Sequence, residues 1–410
     1  MSREWHIMVA GGGMVGNAMA ALLAKAAPSV SVTVLDAQGP PSWNPDAEVG
    51  LRVSALSLAS QRILETCGAW ENIASGRVSP YREMRVWDAA GAPDGVAALR
   101  FRAADVAARC LGHIVENELI RQGLRDCLAS LANVQLVDEA PVAALDLAEE
   151  RAEVRLEDGR RFRGALVVGA DGAGSPTRQM AGLEVRGHDY PQKAVVAHLR
   201  PEHPHRETAW QRFLPEGPLA LLPLADGRVS IVWSASPEQA DALLAMEDRA
   251  FLDEVAEAAG GALGAMLECS RRAAFPLRMR YAPVYTRPRF ALAGDAAHAV
   301  HPLAGQGVNL GFLDAAALAE VLAAGVAEGR DPGDHALLRR YERWRKGENL
   351  MAMAAFDGLN RLFSNDSVLL GGLRRAGFSV VDRLGPLKSM FIRRAMGVDG
   401  DLPAAARAAA

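Results

Sequence analysis

The residues best placed to do chemistry lie in three separated clusters, each pairing glycines with an acid. The longest comprises Gly294-Asp295-Ala296-Ala297-His298, then His301-Pro302-Leu303-Ala304-Gly305-Gln306-Gly307-Val308-Asn309-Leu310-Gly311. An apolar run, Phe290-Ala-Leu-Ala, precedes it, and an apolar helix continues from Gly311 to Leu322. An acid at a strand end, here Asp295 after Gly294, can hold the hydroxyls of a polyol tail. Pro302 fixes the approach of the chain, and Gly305 and Gly307 let backbone come close to a flat ring. Amides near 305–309, at a helix start, favour negative charge on that ring. A second cluster is Gly11-x-Gly13-x-x-Gly16, with Asp36 standing 20 residues beyond Gly16 (36 − 16). Gly11 permits a tight turn, Gly13 the approach of a pyrophosphate, with Met14 and Val15 in the same turn, and Gly16 close packing of the helix that follows. Asp36 can accept from a ribose. The third cluster is Leu166-Val-Val-Gly-Ala170-Asp171-Gly172-Ala-Gly174-Ser175-Pro-Thr-Arg178. Two readings stay open for it: a further cofactor turn, or a self-contained turn with Asp171 or Ser175 capping its helix.

These clusters need elements to hold them. His6 to Ala10 reads as a buried parallel strand, 17–25 as a helix and 31–36 as a second strand, together a βαβ unit. Residues 39–50 form a loop, and 54–67 a helix with Gly68 as its C-cap. Residues 79–102 look like sheet, and 112–131 like one long amphipathic helix. Strands are expected over 134–137, 142–147, 152–156 and 161–168, with Asp158-Gly159 as the turn between the last two. Further strands cover 193–199, 209–214, 219–222 and 229–234, followed by a helical insertion over 237–268. After Tyr285 the α/β pattern returns, and from Leu337 the chain is helical. The expected organisation is a discontinuous nucleotide-binding domain (1–75, 101–180, 286–345), a β-sheet domain (76–100, 181–285), a helical C-terminal region (346–400) and a disordered Ala-rich tail (401–410).

Composition narrows the partners. The chain has 410 residues, is 50% hydrophobic and 23% charged, and carries a net charge of −4. That is globular composition, and the charge excludes nucleic acid as the main partner. Cys67, Cys110, Cys127 and Cys269 are scattered, which implies buried thiols in a reducing compartment. The apolar N-terminal run is broken by its own glycines and by Lys25. It reads as strand–turn–helix rather than a leader, and a cytoplasmic location is expected. In 368–398 arginines and lysines alternate with large apolar residues. Such a segment can lie on an anionic membrane surface, or pack on its own core or a second subunit.

The wording of the clusters carries a resemblance. GxGxxG near the N-terminus, DGxxSxxR in mid-chain and GDAAHxxHPLAGQGxNxGxxD from Gly294 to Asp314 resemble the class A flavoprotein monooxygenases of the para-hydroxybenzoate hydroxylase type. Within that class they resemble the ubiquinone-biosynthesis hydroxylases (the UbiH/UbiI/COQ6 family). Arg52-Val-Ser-Ala-Leu-Ser and His113-Ile-Val-Glu-Asn117 are also similar. The likeness reaches about residue 345 and is weakest over 190–280. It implies an α/β fold, a Rossmann-like FAD-binding domain interrupted by a β-sheet substrate domain, with a helical C-terminus. It implies that Gly11, Gly13, Gly16 and Asp36 bind the ADP half of FAD, and that Arg52 reaches the flavin or pyrophosphate. Asp171, Gly172, Ser175 and Arg178 would help hold the pyrophosphate and organise the route of NADH or NADPH. Asp295 would bind the ribityl chain, and Pro302 to Asn309, with Gln306 and Val308, would line the ring.

The implied activity is NAD(P)H-dependent hydroxylation of a polyprenylated phenol through a flavin C4a-hydroperoxide. No residue is assigned as catalytic, because cofactor and substrate carry the chemistry. Related chemistry on a soluble phenol, or a flavin-bound scaffold in a quinone-synthesis complex, remains open, as does a homo-oligomer. His298 and His301 read as packing or backbone-bonding residues, Asn309 as a flavin contact or a helix cap, and Asn117 as a pocket or helix-start residue. Trp210, Phe213, Trp233 and Phe275 line a substrate channel or fill the core.

Overall fold

The computed structural model describes residues 4–95, 98–299, 307–363 and 385–408. Its helices are α1 (Met14–Ala26), α2 (Leu58–Cys67), α3 (Trp70–Ala74), α4 (Asn117–Ala129), α5 (Pro176–Met180), α6 (Pro237–Ala245), α7 (Asp248–Ala258), α8 (Gly307–Ala327), α9 (His335–Phe363) and α10 (Gly385–Ala395).

The unbroken apolar runs of the sequence become the centre of a six-stranded sheet. Its order is Thr286–Arg287, Phe290–Leu292, Leu166–Gly169, Trp5–Ala10, Val30–Leu35 and Val134–Val137. All pairings are parallel except the outermost, Thr286–Arg287 with Phe290–Leu292. Ile7, Val9, Val32, Leu166 and Val168 are fully or almost fully buried in one core with Leu23 of α1 and Phe312 and Leu318 of α8. Each such side chain contributes about 1.5–3 kcal/mol by leaving water. The alanine-rich faces of α1 and α8 allow these two helices to pack against each other. α8 is the one described helix long and apolar enough to cross a membrane, and most of that stretch is buried inside the fold.

A second sheet, nine-stranded, takes the alternating segments of mid-chain. Arg186–Pro201, Val229–Ala235, Gly217–Pro223 and Thr208–Leu214 form its antiparallel centre, and Glu83–Asp88 joins it in parallel. α6 and α7 cover it, burying Trp87, Trp233 and Phe251. The last strand of this sheet, His298–Ala299, comes from the late glycine cluster itself.

Several expectations are corrected. Residues 112–131 are not one helix: Gly112–Glu116 is a strand, paired with Val53–Ser57 and Ser79–Tyr81, and only Asn117–Ala129 is helical. Likewise 53–57 is strand before α2, whose cap is Ser57 accepting from Ser60 N at 3.2 Å. In both, a short strand runs straight into a helix, so one apolar periodicity blurs into the other. The run 161–168 splits into Arg161–Gly164 and Leu166–Gly169, which enter different sheets. The helical insertion ends early, and Met266–Cys269 is a strand. The tail is ordered through residue 408. Ala404 N donates to Glu320 Oε2 at 2.7 Å, Trp344 Nε1 to Asp401 O at 3.0 Å, and Ala406 is fully buried. The segment 368–398 lies outside the described residues except for its final part. There Ile392 and Met396 are buried in the protein's own core, while Arg393 is exposed.

Candidate functional site

The three glycine clusters form three strand–turn–helix corners, and all three meet at the start of α1. Gly11 has φ of +110° and its amide donates to Leu35 O at 2.8 Å. A Cβ at Gly11 would collide with Ala170 O of the second corner, and one at Gly16 would collide with Gly11 O. Val15 wedges into the third corner: a Cβ at Gly311 would lie 2.6 Å from Val15 Cγ2, and one at Gly294 3.0 Å from Val15 Cγ1. Residues nearly 300 positions apart are thus in contact through glycines that leave no room for side chains.

The first corner is open. No side chain caps α1, so the first amides, from Met14 onward, have no local acceptor, and nothing lies within 4 Å of where a Cβ on Gly13 would be. A helix start with free donors and an unobstructed approach is an anion site for phosphate. Asp36 borders it, almost buried and in contact with Gly12. Its oxygens accept from Gln38 N at 3.0 Å and Arg121 Nη2 at 3.3 Å. A carboxylate has lone pairs left after two such bonds.

The second corner is closed on itself. Asp171 accepts from Thr177 N at 2.9 Å and Thr177 Oγ1 at 2.8 Å, and also from Ser175 Oγ. Ser175 Oγ in turn accepts from Arg178 N at 3.0 Å and caps α5. Of the two readings left open, the geometry is that of the self-capped turn. Gly172 has φ of +85° and completes it. Arg178 is buried and donates to Ala296 O at 2.7 Å and Ala173 O at 3.0 Å, which ties the second corner to the third. Burial lowers the Arg178 pKa, and Asp171 opposes that shift.

The third corner presents Asp295. It is exposed at the surface of the fold. Neighbouring protein raises its pKa by desolvation, while His298 and Arg52 lower it and Asp314 adds to the rise. Arg52, itself exposed, is near enough to the predicted ribityl acid for its charge to act on it. Its loop is anchored by Glu116, which accepts from Gly50 N at 2.7 Å, Arg77 Nε at 2.8 Å and Trp43 Nε1 at 3.1 Å. Pro302, Gly305 and Gln306, with His301, lie outside the described residues. Gly307 and Val308 are half-buried at the start of α8. Asn309 neither caps its own helix nor faces open space. Its Nδ2 donates to Ala55 O at 2.9 Å, and its Oδ1 accepts from Ser57 N at 3.0 Å and Ser60 Oγ at 2.7 Å. It clamps α8 to the strand leading from Arg52. Asn117 accepts from Ser54 Oγ at 2.7 Å in the same neighbourhood.

A buried network missed from sequence holds this third corner. Asp314 Oδ2 accepts from Gly294 N at 3.2 Å and lies 2.5 Å from His298 Nε2. Its Oδ1 accepts from Arg345 Nε at 3.0 Å and Asn349 Nδ2 at 3.0 Å. Burial pushes the Asp314 carboxyl up, but His298 and Arg345 outweigh it and hold the pKa down at about 2. His298, expected to pack or to bond backbone, is buried and bonds a carboxylate on α8 instead. The signals available were Asp314 closing the late motif and Arg345 and Asn349 spaced four apart on α9.

Of the aromatic candidates, Trp210 stacks edge-on against Trp87 with ring centroids 6.1 Å apart, and Trp233 and Phe213 are buried. Phe275 is 43% exposed. These positions give no open aromatic channel on their own.

An open phosphate-ready helix start, a ribose acid beside it and a polyol acid beyond suit FAD, and the residues present fit that group. The model of the FAD-binding domain family matches residues 4–354, and the chain belongs to that family. It is 40% identical to the ubiquinone hydroxylase UbiL of Rhodospirillum rubrum, over 95% of this chain and 89% of that protein. To the 3-demethoxyubiquinol 3-hydroxylase of Escherichia coli it is 36% identical, over 96% of this chain and 98% of the relative. The solved p-nitrophenol 4-monooxygenase PnpA of Pseudomonas putida aligns with a TM-score of 0.77 and 20% identity, over 97% of this chain and 99% of that one, which shows the shared fold. The expected family, fold class and cofactor, FAD, are thereby borne out.

Proposed function

We propose that this protein is an FAD-dependent monooxygenase that uses NADH or NADPH to hydroxylate the aromatic ring of a polyprenylated phenol on the way to ubiquinone. The carrying observation is near-full-length similarity to two ubiquinone-pathway hydroxylases in a chain whose first corner is ready for a dinucleotide phosphate. Bound FAD supplies the electron transfer and the activation of dioxygen. The chain's own residues bind, orient and exclude water. The amides of Met14, Val15 and Gly16 and the approach over Gly13 take the pyrophosphate, and Asp36 takes the ribose. Asp295 takes the ribityl chain with Arg52 beside it, and the start of α8 (Gly307, Val308) abuts the ring. Asp171 and Arg178 act one step back, by fixing the second corner against the first and third. The nine-stranded sheet region, 76–100 and 181–285, forms the substrate domain. Contact with a membrane surface through the basic C-terminal segment, where such a substrate dissolves, completes the reading.

The test pairs purified, yellow protein with a prenylated phenol and with the free phenol, following NAD(P)H consumption and product mass together. Hydroxylated product from the prenylated compound alone is expected. Turnover of the free phenol only, or flavin that NAD(P)H does not bleach, overturns the reading.

A further inference from the structure

A cleft of about 870 Å³ lies on the outer side of α2, between the 106–110 turn and the C-terminal residues 393–408. It is lined by none of the residues of the three corners. Five arginines face it, Arg62, Arg82, Arg109, Arg393 and Arg407, against one acid, Glu65. Arg82 is paired with Glu207 at 2.5 Å. The other four guanidinium groups have no carboxylate partner among the described residues. Two of them are held in place by neutral backbone oxygens: Arg62 Nη1 donates to Ala406 O at 3.3 Å and Arg407 Nε to Leu402 O at 2.9 Å. Such bonds orient a guanidinium without spending its charge.

In a chain of net charge −4, four uncompensated cations around one cleft are not a compositional accident of a basic protein. Like charges so gathered repel, and low-dielectric walls concentrate their field at the centre. Guanidinium forks match phosphate oxygens two at a time and desolvate more readily than ammonium. Between the arginines, Leu58, Val106 and Met396 contribute apolar surface to walls that also carry Gln61 and His113. The ordered stretch 401–408, which sequence did not foresee, contributes Leu402, Arg407 and Ala408 to the lining of this cleft.

We propose that the cleft binds a phosphate anion, a pyrophosphate or phosphodiester group carried on a partly apolar molecule. The site is separate from the FAD corners and independent of which phenol the enzyme hydroxylates. A failed hydroxylation assay leaves it standing, and its own failure leaves the hydroxylase reading intact. One chemistry admits two sources, a soluble phosphate compound or a phospholipid headgroup, and the experiment separates them.

Full-length protein loaded with FAD is titrated with inorganic pyrophosphate by calorimetry. It is also co-sedimented with phosphatidylcholine vesicles with and without phosphatidylglycerol. The test variant is Arg109→Glu with Arg393→Glu, both exposed and with no side-chain hydrogen bond or ion pair to lose among the described residues. Arg151→Glu, in the exposed turn between strands Val142–Leu147 and Ala152–Leu156, serves as the charge control, and flavin content reports folding in each. Binding weakened at least about tenfold in the double variant and unchanged in the control is expected. Pyrophosphate binding assigns a soluble source. Sedimentation only with anionic vesicles assigns a headgroup. Wild-type protein that binds neither, or a double variant within about twofold of the control on both, overturns the proposal.

Discussion

The first and second corners use the same vocabulary: a buried strand, glycines, an acid and a helix. They end in opposite states. At Gly11–Gly16 the helix start has no side-chain cap and its approach is clear. At Asp171–Arg178 the chain's own oxygens take those amides: Asp171 accepts from Thr177 N, and Ser175 from Arg178 N. What makes a strand–turn–helix corner a ligand site is therefore not its glycines or its acid. It is whether the protein satisfies the helix amides itself. The third corner shows an intermediate solution, because Gly294 N is satisfied by Asp314, 20 residues on.

The largest effect expected from this contrast is at Gly16. Gly16→Val drives a side chain into Gly11 O, so the variant should emerge colourless, with no flavin absorbance after gel filtration. Full flavin occupancy would break the contrast at its root. Next comes Asp314→Ala, which leaves His298 and Arg345 buried without their carboxylate. A loss of about 3–5 kcal/mol in urea unfolding is expected. The pH dependence has a fixed sign. The folded carboxyl is held at about 2, below the roughly 3.9 of an unfolded Asp. Its stabilisation is therefore complete above the unfolded value and disappears as pH falls through the folded one. Asp314→Asn should flatten stability against pH in that window, and an unchanged acid slope would rule the network out as its source.

Asp171→Ala sharpens the comparison by separating folding from ligand. Loss of its bonds to Thr177 and Ser175 should cost about 1–2 kcal/mol, while flavin affinity measured on the folded variant stays within about tenfold. A collapse of flavin affinity without loss of stability would make Asp171 a direct ligand instead. The smallest stability effects belong to Gly13→Ala and Gly174→Ala, since neither Cβ would meet protein within 4 Å. Both should unfold within about 1 kcal/mol of wild type. Only Gly13→Ala should weaken FAD binding, because only its empty space is reserved for a ligand. Equal flavin affinities in the two variants would erase the distinction between open and closed corners.

Much of this was legible from spacing. Period-two and continuous apolar runs gave most strands of both sheets. Gly11 and Gly16 could be assigned roles because a tight turn or a close approach leaves few alternatives to glycine. The helix expected over 112–131 failed because Ile114 and Val115 sit where strand and helix patterns overlap, and pairing with Val53–Ser57 decides between them. The tail was misread because alanines carry little pattern of their own. Their burial depends on Glu320, Trp344 and Arg62, each remote in the chain.

By itself the sequence determined the chemistry on offer: which residues can turn tightly, which can hold a ribose or a polyol, and the flavin-binding family those residues signal. Those are local properties of residue type and spacing. Only the tertiary structure decided which helix starts stay unsatisfied, that Asp314 and Arg345 brace the third corner, and that four arginines from distant segments gather in one cleft. Hydrogen-bond satisfaction and charge compensation are settled between residues far apart in sequence, so they become visible only once the chain has folded.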